Sequence, residues 1–137
     1  MKRKTIVMKR LNRFIFTVFL SFGIVGCSKE YQSERYLYKA TKLARHIIMA
    51  PDAVPPQEFN KALKSHELVF TKYTDTLSAK RARMGMGVLY SAKKEYIKAR
   101  EVFDRVLKLY PGDKGISIEA RFATAKSYEN EDLWDSA

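Results

Sequence analysis

Apolar positions fall into two regimes along the 137 residues. Residues 14–26 form one uncharged block, Phe-Ile-Phe-Thr-Val-Phe-Leu-Ser-Phe-Gly-Ile-Val-Gly. From Glu34 onward, apolar residues instead recur every three or four positions, the spacing that gathers them on one face of a helix. Leu37, Ala40, Leu43, Ala44 and Ile47 make such a face and predict a first helix over residues 34–49. Ala50-Pro-Asp-Ala-Val-Pro-Pro56 predicts a loop, because its three prolines forbid helix continuation. Further helices are predicted near 57–73, 77–92, 94–110 and 115–130, and another begins near Leu133 with no room to finish. No strands are predicted, so the expected fold class is all-α.

The pattern repeats. Phe59-Asn-Lys-Ala62, Tyr96-Ile-Lys-Ala99 and Trp134-Asp-Ser-Ala137 align, with the aromatics and the alanines 37 and then 38 residues apart. The first two segments run on into Tyr73-Thr-Asp-Thr and Tyr110-Pro-Gly-Asp, which read as matching turns. Upstream, Met86-Gly87-x-x-Tyr90 matches Thr124-Ala125-x-x-Tyr128. Small residues at Gly87 and Ala125, and then at Ala99 and Ala137, would let paired antiparallel helices approach closely, with Tyr90 and Tyr128 filling the space alongside.

These residues resemble the tetratricopeptide repeat. Met86, Gly87, Tyr90, Tyr96, Ala99, Phe103, Val106 and Pro111 stand at that family's spacing across residues 80–113. The preceding unit departs from it, with His66 in place of Phe and Thr74 in place of Pro, and the following one is cut off at Ala137. The resemblance implies a helical-hairpin solenoid of about two and a half units; a generic antiparallel helical bundle is the alternative. Three or four extra residues per unit, in Gly112-Asp-Lys-Gly-Ile-Ser117, lengthen the turn between units. In this the chain is similar to BamD-type lipoproteins and to the cell-division coordinator lipoproteins that act with the Tol system. Since a repeat helix buries its face only against a neighbour, a stop at Ala137 leads us to expect an incomplete copy of a longer protein.

The apolar block at 14–26 follows Lys2, Arg3, Lys4, Lys9, Arg10 and Arg13, with no acid before Glu30. A basic segment, a short apolar segment and a small residue before a cut site form the pattern of a secretory signal peptide. The block is shorter than the roughly 18 residues of a membrane span, which disfavours a permanent anchor helix. Ile24-Val25-Gly26-Cys27 resembles the lipobox of bacterial lipoproteins, although Val25 is bulkier than the usual Ala or Ser. That family acylates the cysteine and cuts before it, which implies lipidation at Cys27, the chain's single cysteine. Ser28 then implies transfer to the outer membrane, facing the periplasm. Met8 is an alternative start, since Lys9, Arg10 and Arg13 still supply a basic segment. The expected organisation is a signal peptide at 1–26, a lipidated cysteine with its tether at 27–33, and a repeat domain at 34–137.

Removing the leader changes the charge. Six of the 26 Lys and Arg precede Cys27, leaving 20 against 15 acidic residues rather than the +11 of the full chain. So mild a balance, with export, removes the case for nucleic-acid binding. Weak attraction to anionic lipid heads remains.

No chemistry of catalysis is expected. His46 and His66 have no metal-ligand spacing with another His or Cys. Met84-Gly85-Met86-Gly87 lies in a helical pattern and lacks the strand and Lys-Ser/Thr of a phosphate loop. Glu129, Glu131, Asp132 and Asp135 suit a helix N-terminus. The chain is therefore expected to be no enzyme and to need no cofactor beyond the covalent lipid on Cys27. Function is expected on a surface instead. The tetratricopeptide resemblance implies a groove lined by Arg81, Met84, Val88, Ser91 and Ala92 in the central unit, and by Glu119, Phe122, Lys126, Glu129 and Asn130 in the next. Its expected occupants are peptide or protein partners in the envelope, foremost the outer-membrane barrel-assembly machine. A cell-wall or division adaptor ranks lower, because residues 28–58 hold no sustained heptads. An accessory subunit of an envelope enzyme or exporter is the third possibility.

Overall fold

A computed structural model of the chain describes residues 29–132. The chain divides into two compact units, residues 1–32 and 33–137. Of the first, only 29–32 are described, and they are helical.

The second unit holds five helices and, among the described residues, no strand. These are α1 (residues 33–49), α2 (Pro56–Lys72), α3 (Leu77–Ala92), α4 (Tyr96–Leu109) and α5 (Lys114–Glu129). A 3₁₀ turn at Pro51–Ala53 separates the first two. Each of α2 to α5 falls within two residues of its expected bounds. Two differences have local causes. Residues 29–33, expected as tether, are helical and Ser33 is fully buried; no Gly or Pro interrupts the chain from 29 to 50, and long side chains favour helix. Pro56, expected in the loop, opens α2, where its missing N–H costs nothing and its fixed φ already suits a helix.

The helices are punctuated by capping, and the punctuation recurs. Thr76 caps α3 by accepting a bond from the Ala79 N–H at 3.2 Å, and Asp113 caps α5 by accepting one from Ile116 N–H at 3.2 Å. The preceding turns match bond for bond. Tyr73 N–H donates to Val69 O and Tyr110 N–H to Val106 O, both at 3.0 Å. Thr76 N–H donates to Tyr73 O at 3.0 Å, and Asp113 N–H to Tyr110 O at 3.1 Å. All three matched bonds lie 37 residues apart. At the other end of the hairpins, Lys94 and Asp132, 38 residues apart, take the left-handed region at φ 61° and 60°. Each sends its N–H to the carbonyl three residues back, Lys94 to Ser91 at 3.0 Å and Asp132 to Glu129 at 3.1 Å. The repeated sequence thus builds a repeated backbone of helical hairpins.

Each of α2 to α5 packs on its sequence neighbour, and α5 also reaches back to α3. α2 buries a single stripe, Phe59, Ala62, His66 and Val69, and α4 buries Ala99, Phe103 and Val106. α3 is covered on more than one side, burying Ser78, Ala79, Ala82, Met84, Gly87 and Leu89. It serves as the shared wall of three clusters. The first joins Ala44, Ile47, Val54, Phe59 and Ala62 to Leu89, the second joins Met84 to Phe103, Val106, Ile116 and Ala120, and the third joins Ala82 to Val69 and Tyr73. Close approach at this wall depends on Gly87, where a Cβ would overlap the Phe103 ring. The lack of a side chain admits the whole Phe103 ring, which is 1% exposed. Burying a side chain of this kind contributes about 1.5–3 kcal/mol.

Candidate interaction surface

The ten groove positions form five register pairs across neighbouring hairpins, each 38 residues apart: Arg81 with Glu119, Met84 with Phe122, Val88 with Lys126, Ser91 with Glu129, and Ala92 with Asn130. The structure places α3 beside α5, so the pairs stand on equivalent faces of adjacent helices. Arg81, Val88, Glu119, Phe122, Lys126 and Asn130 are exposed, and Ser91, Ala92 and Glu129 are half-buried.

Met84 departs from the expectation. It is 8% exposed and belongs to the core with Phe103, Val106 and Ile116, so it packs α3 onto the next hairpin instead of meeting a partner. Phe122, at the same register on α5, is 73% exposed. The charges also rearrange, because Lys126 donates to Glu129 Oε2 at 2.8 Å and the two offset one another. Leu77, 48% exposed and one turn before Arg81, extends the strip on α3. Sequence reading missed it, although its spacing of four from Arg81 carried the signal.

Polar ties fix α5 to the hairpin before it. Lys80 Nζ lies 2.8 Å from Asp113 Oδ2 and also 5.4 Å from the Tyr110 ring centroid. The Lys80 bond, followed by the bond from Ile116 N–H, holds the Asp113 carboxyl below its ordinary range. Arg100 donates to Ser127 Oγ at 3.0 Å, pairs with Glu131 at 2.7 Å, and lies 4.2 Å above the Tyr128 ring. At the surface, the hydrogen bond to Glu95 raises Lys98 above the usual lysine value.

Both histidines have structural surroundings. His66 is 2% exposed, its Nδ1–H donates to Ala62 O at 2.9 Å, and a Cβ on Gly85 would fall 2.7 Å from its Nε2. Burial, outweighing that bond, lowers its pKa from 6.5. His46 is exposed, with Nδ1 3.9 Å from Glu58. Among the described residues no three His, Cys, Asp or Glu gather as a metal site, and no helix is long and apolar enough to cross a membrane. Cys27 and the leader before it, together with Trp134 and Ala137, lie outside the described residues. No protein-family model, curated protein or solved structure matches this chain.

Proposed function

We propose that this chain is a lipid-anchored scaffold of tetratricopeptide type, held to the outer membrane through Cys27 and facing the periplasm. On this reading it is no enzyme. It binds an extended segment of a partner protein along the strip that α3 and α5 share, in the manner of BamD-type lipoproteins that serve a barrel-assembly machine. The observation that carries the reading is the repeat itself. Caps, turns and left-handed residues recur at 37 and 38 residues, and the recurrence sets Arg81, Val88, Glu119 and Phe122 on equivalent faces. Leu77, Val88 and Phe122 leave apolar surface there at 48%, 39% and 73% exposure. Alternating apolar and charged positions on such a strip suit an amphipathic peptide more than a small molecule.

The test is a cross-linked pull-down from detergent-solubilised envelopes, comparing wild type, Cys27→Ala and a Val88→Asp, Phe122→Asp pair. The expected result is recovery of a barrel-assembly protein by wild type, lost in both variants. Recovery of wall enzymes or Tol components would overturn the assembly reading in favour of a division adaptor. An N-terminal peptide that begins before Cys27 and carries no acyl mass would overturn the anchor.

A further inference from the structure

A cleft of about 600 Å³ opens between α1 and α2, away from the strip on α3 and α5. Three ammonium groups line it: Lys39 and Lys42 from α1, and Lys61 from α2. Leu43 and Ile47 give it an apolar side. Lys42 and Lys61 form no ion pair among the described residues. Lys80, Lys98, Arg100, Lys108 and Lys126 on α3, α4 and α5, by comparison, each meet a carboxylate. The one acid in the cleft, Glu58, lies beside His46. Three lysines against one carboxylate leave the cleft net positive, and an anion entering it is attracted.

One feature decides which anion, because lysines are point charges that take phosphate and carboxylate alike. Beside the cleft, Tyr38, Lys42, Arg45 and Met49 follow at spacings of four, three and four, forming one stripe of α1 with Tyr38 70% and Met49 77% exposed. An aromatic and a flexible apolar residue flanking basic residues is the composition of a helix lying at a bilayer surface, with stems in the headgroup region and charges at the phosphates. An acidic peptide would not call for the exposed Tyr and Met.

We propose that the α1–α2 cleft and the adjoining stripe of α1 dock on anionic phospholipid headgroups of a bilayer, with Lys39, Lys42 and Lys61 holding a headgroup phosphate. The choice of a bilayer as occupant rests on the envelope reading of the N-terminus. The binding itself does not need Cys27 to be acylated, so it is tested with the full chain carrying Cys27→Ser.

The measurement is co-sedimentation with vesicles of phosphatidylcholine, or of an equal mixture of phosphatidylcholine and phosphatidylglycerol. Residues 1–26 are common to every variant, so it is the differences between variants that report on the cleft. The expected result is stronger binding to the mixed vesicles, weakened about fivefold for each lysine in Lys42→Gln and Lys61→Gln. The control pair Lys98→Gln, Lys108→Gln leaves it near wild type, and unchanged far-ultraviolet circular dichroism shows that all variants fold. Equal binding to both vesicles would overturn the proposal, as would an equal loss in the control pair, which would mean unspecific attraction. Binding to a soluble poly-glutamate peptide together with no binding to either vesicle would overturn it in favour of an acidic protein partner. Failure to find acyl groups on native Cys27 would overturn the anchor while leaving this result standing.

Discussion

The interface between α2 and α3 and the interface between α4 and α5 occupy the same place in successive hairpins and both have apolar cores, yet at one matched position they are built from opposite materials. In the first, Leu63 packs into a core with the fully buried Leu89, and Phe59 meets Tyr90 edge-on with centroids 5.8 Å apart. In the second, the residues 37 and 38 positions later are Arg100 and Ser127, hydrogen-bonded at 3.0 Å, with Glu131 and Tyr128 completing a polar cluster. One backbone geometry accepts either solution, because the repeat is held by turns and caps as well as by side-chain identity. The solutions differ in consequence. Apolar packing resists salt and tolerates no loss of volume, whereas a half-buried ion pair is directional and its net worth is small unless a partner is removed.

The largest effects should come from truncating the apolar side. Leu89→Ala is expected to cost about 2–5 kcal/mol and Phe103→Ala about 3–5 kcal/mol in urea unfolding, since both side chains are buried among close-packed neighbours. Ser127→Ala, at the register of Leu89, should cost clearly less; equal losses would dissolve the distinction between the interfaces. Next comes Gly87→Ala. Its new methyl would meet the Phe103 ring, and forced repacking of about 1–3 kcal/mol outweighs the roughly 1 kcal/mol gained from helix propensity. A Gly87→Ala variant more stable than wild type would show the ring free to move. At the same register Ala125 already carries a Cβ, and Ala125→Gly should lose about 1 kcal/mol by propensity alone.

On the polar side, Arg100→Ala is expected to cost about 1.5–3 kcal/mol through its lost charged hydrogen bonds. The double change Arg100→Leu, Ser127→Leu rebuilds the arrangement of Leu63 and Leu89, and should recover most of that loss while making stability less salt-dependent. Smaller still, Thr76→Ala removes the α3 cap for about 1 kcal/mol in the same unfolding assay.

The last contrast appears on acidification. His66 replaces, in the first hairpin, the aromatic that Phe103 supplies in the second. Its folded-state pKa lies below the unfolded value of 6.5, so the folded chain prefers the neutral ring. The stability this contributes is complete above pH 6.5 and is lost as pH falls through that value toward the lowered folded-state pKa. Melting temperature should therefore drop between pH 7.5 and 5.5 in the wild type, and drop less in His66→Leu. An equal drop in both would assign the acid sensitivity elsewhere.

Much of this was legible along the chain. The matching turns that end at Thr76 and Asp113 separate helices, the prolines at 51, 55 and 56 announce a break, and the three-four spacing of Leu37, Ala40, Leu43, Ala44 and Ile47 announces a helix face. Those signals act through bonds and rotamers within one or two turns, so local sequence suffices to read them. The 37- and 38-residue recurrence was equally visible, and it appears in the backbone as matched caps and left-handed residues.

The fate of equivalent side chains was not legible. Met84 and Phe122 share a register, yet one is buried and the other exposed, because a further pair of helices lies against α3 and none of the described residues covers the same face of α5. The sequence also offered no sign that Lys80 would meet Asp113, or that lysines from α1 and α2 would line one cleft. By itself the sequence determined where helices begin, end and repeat, since those depend on neighbours a few residues away. Only the tertiary structure decided which faces are core and which charges stand unpaired, since burial and pairing depend on groups brought close from far along the chain.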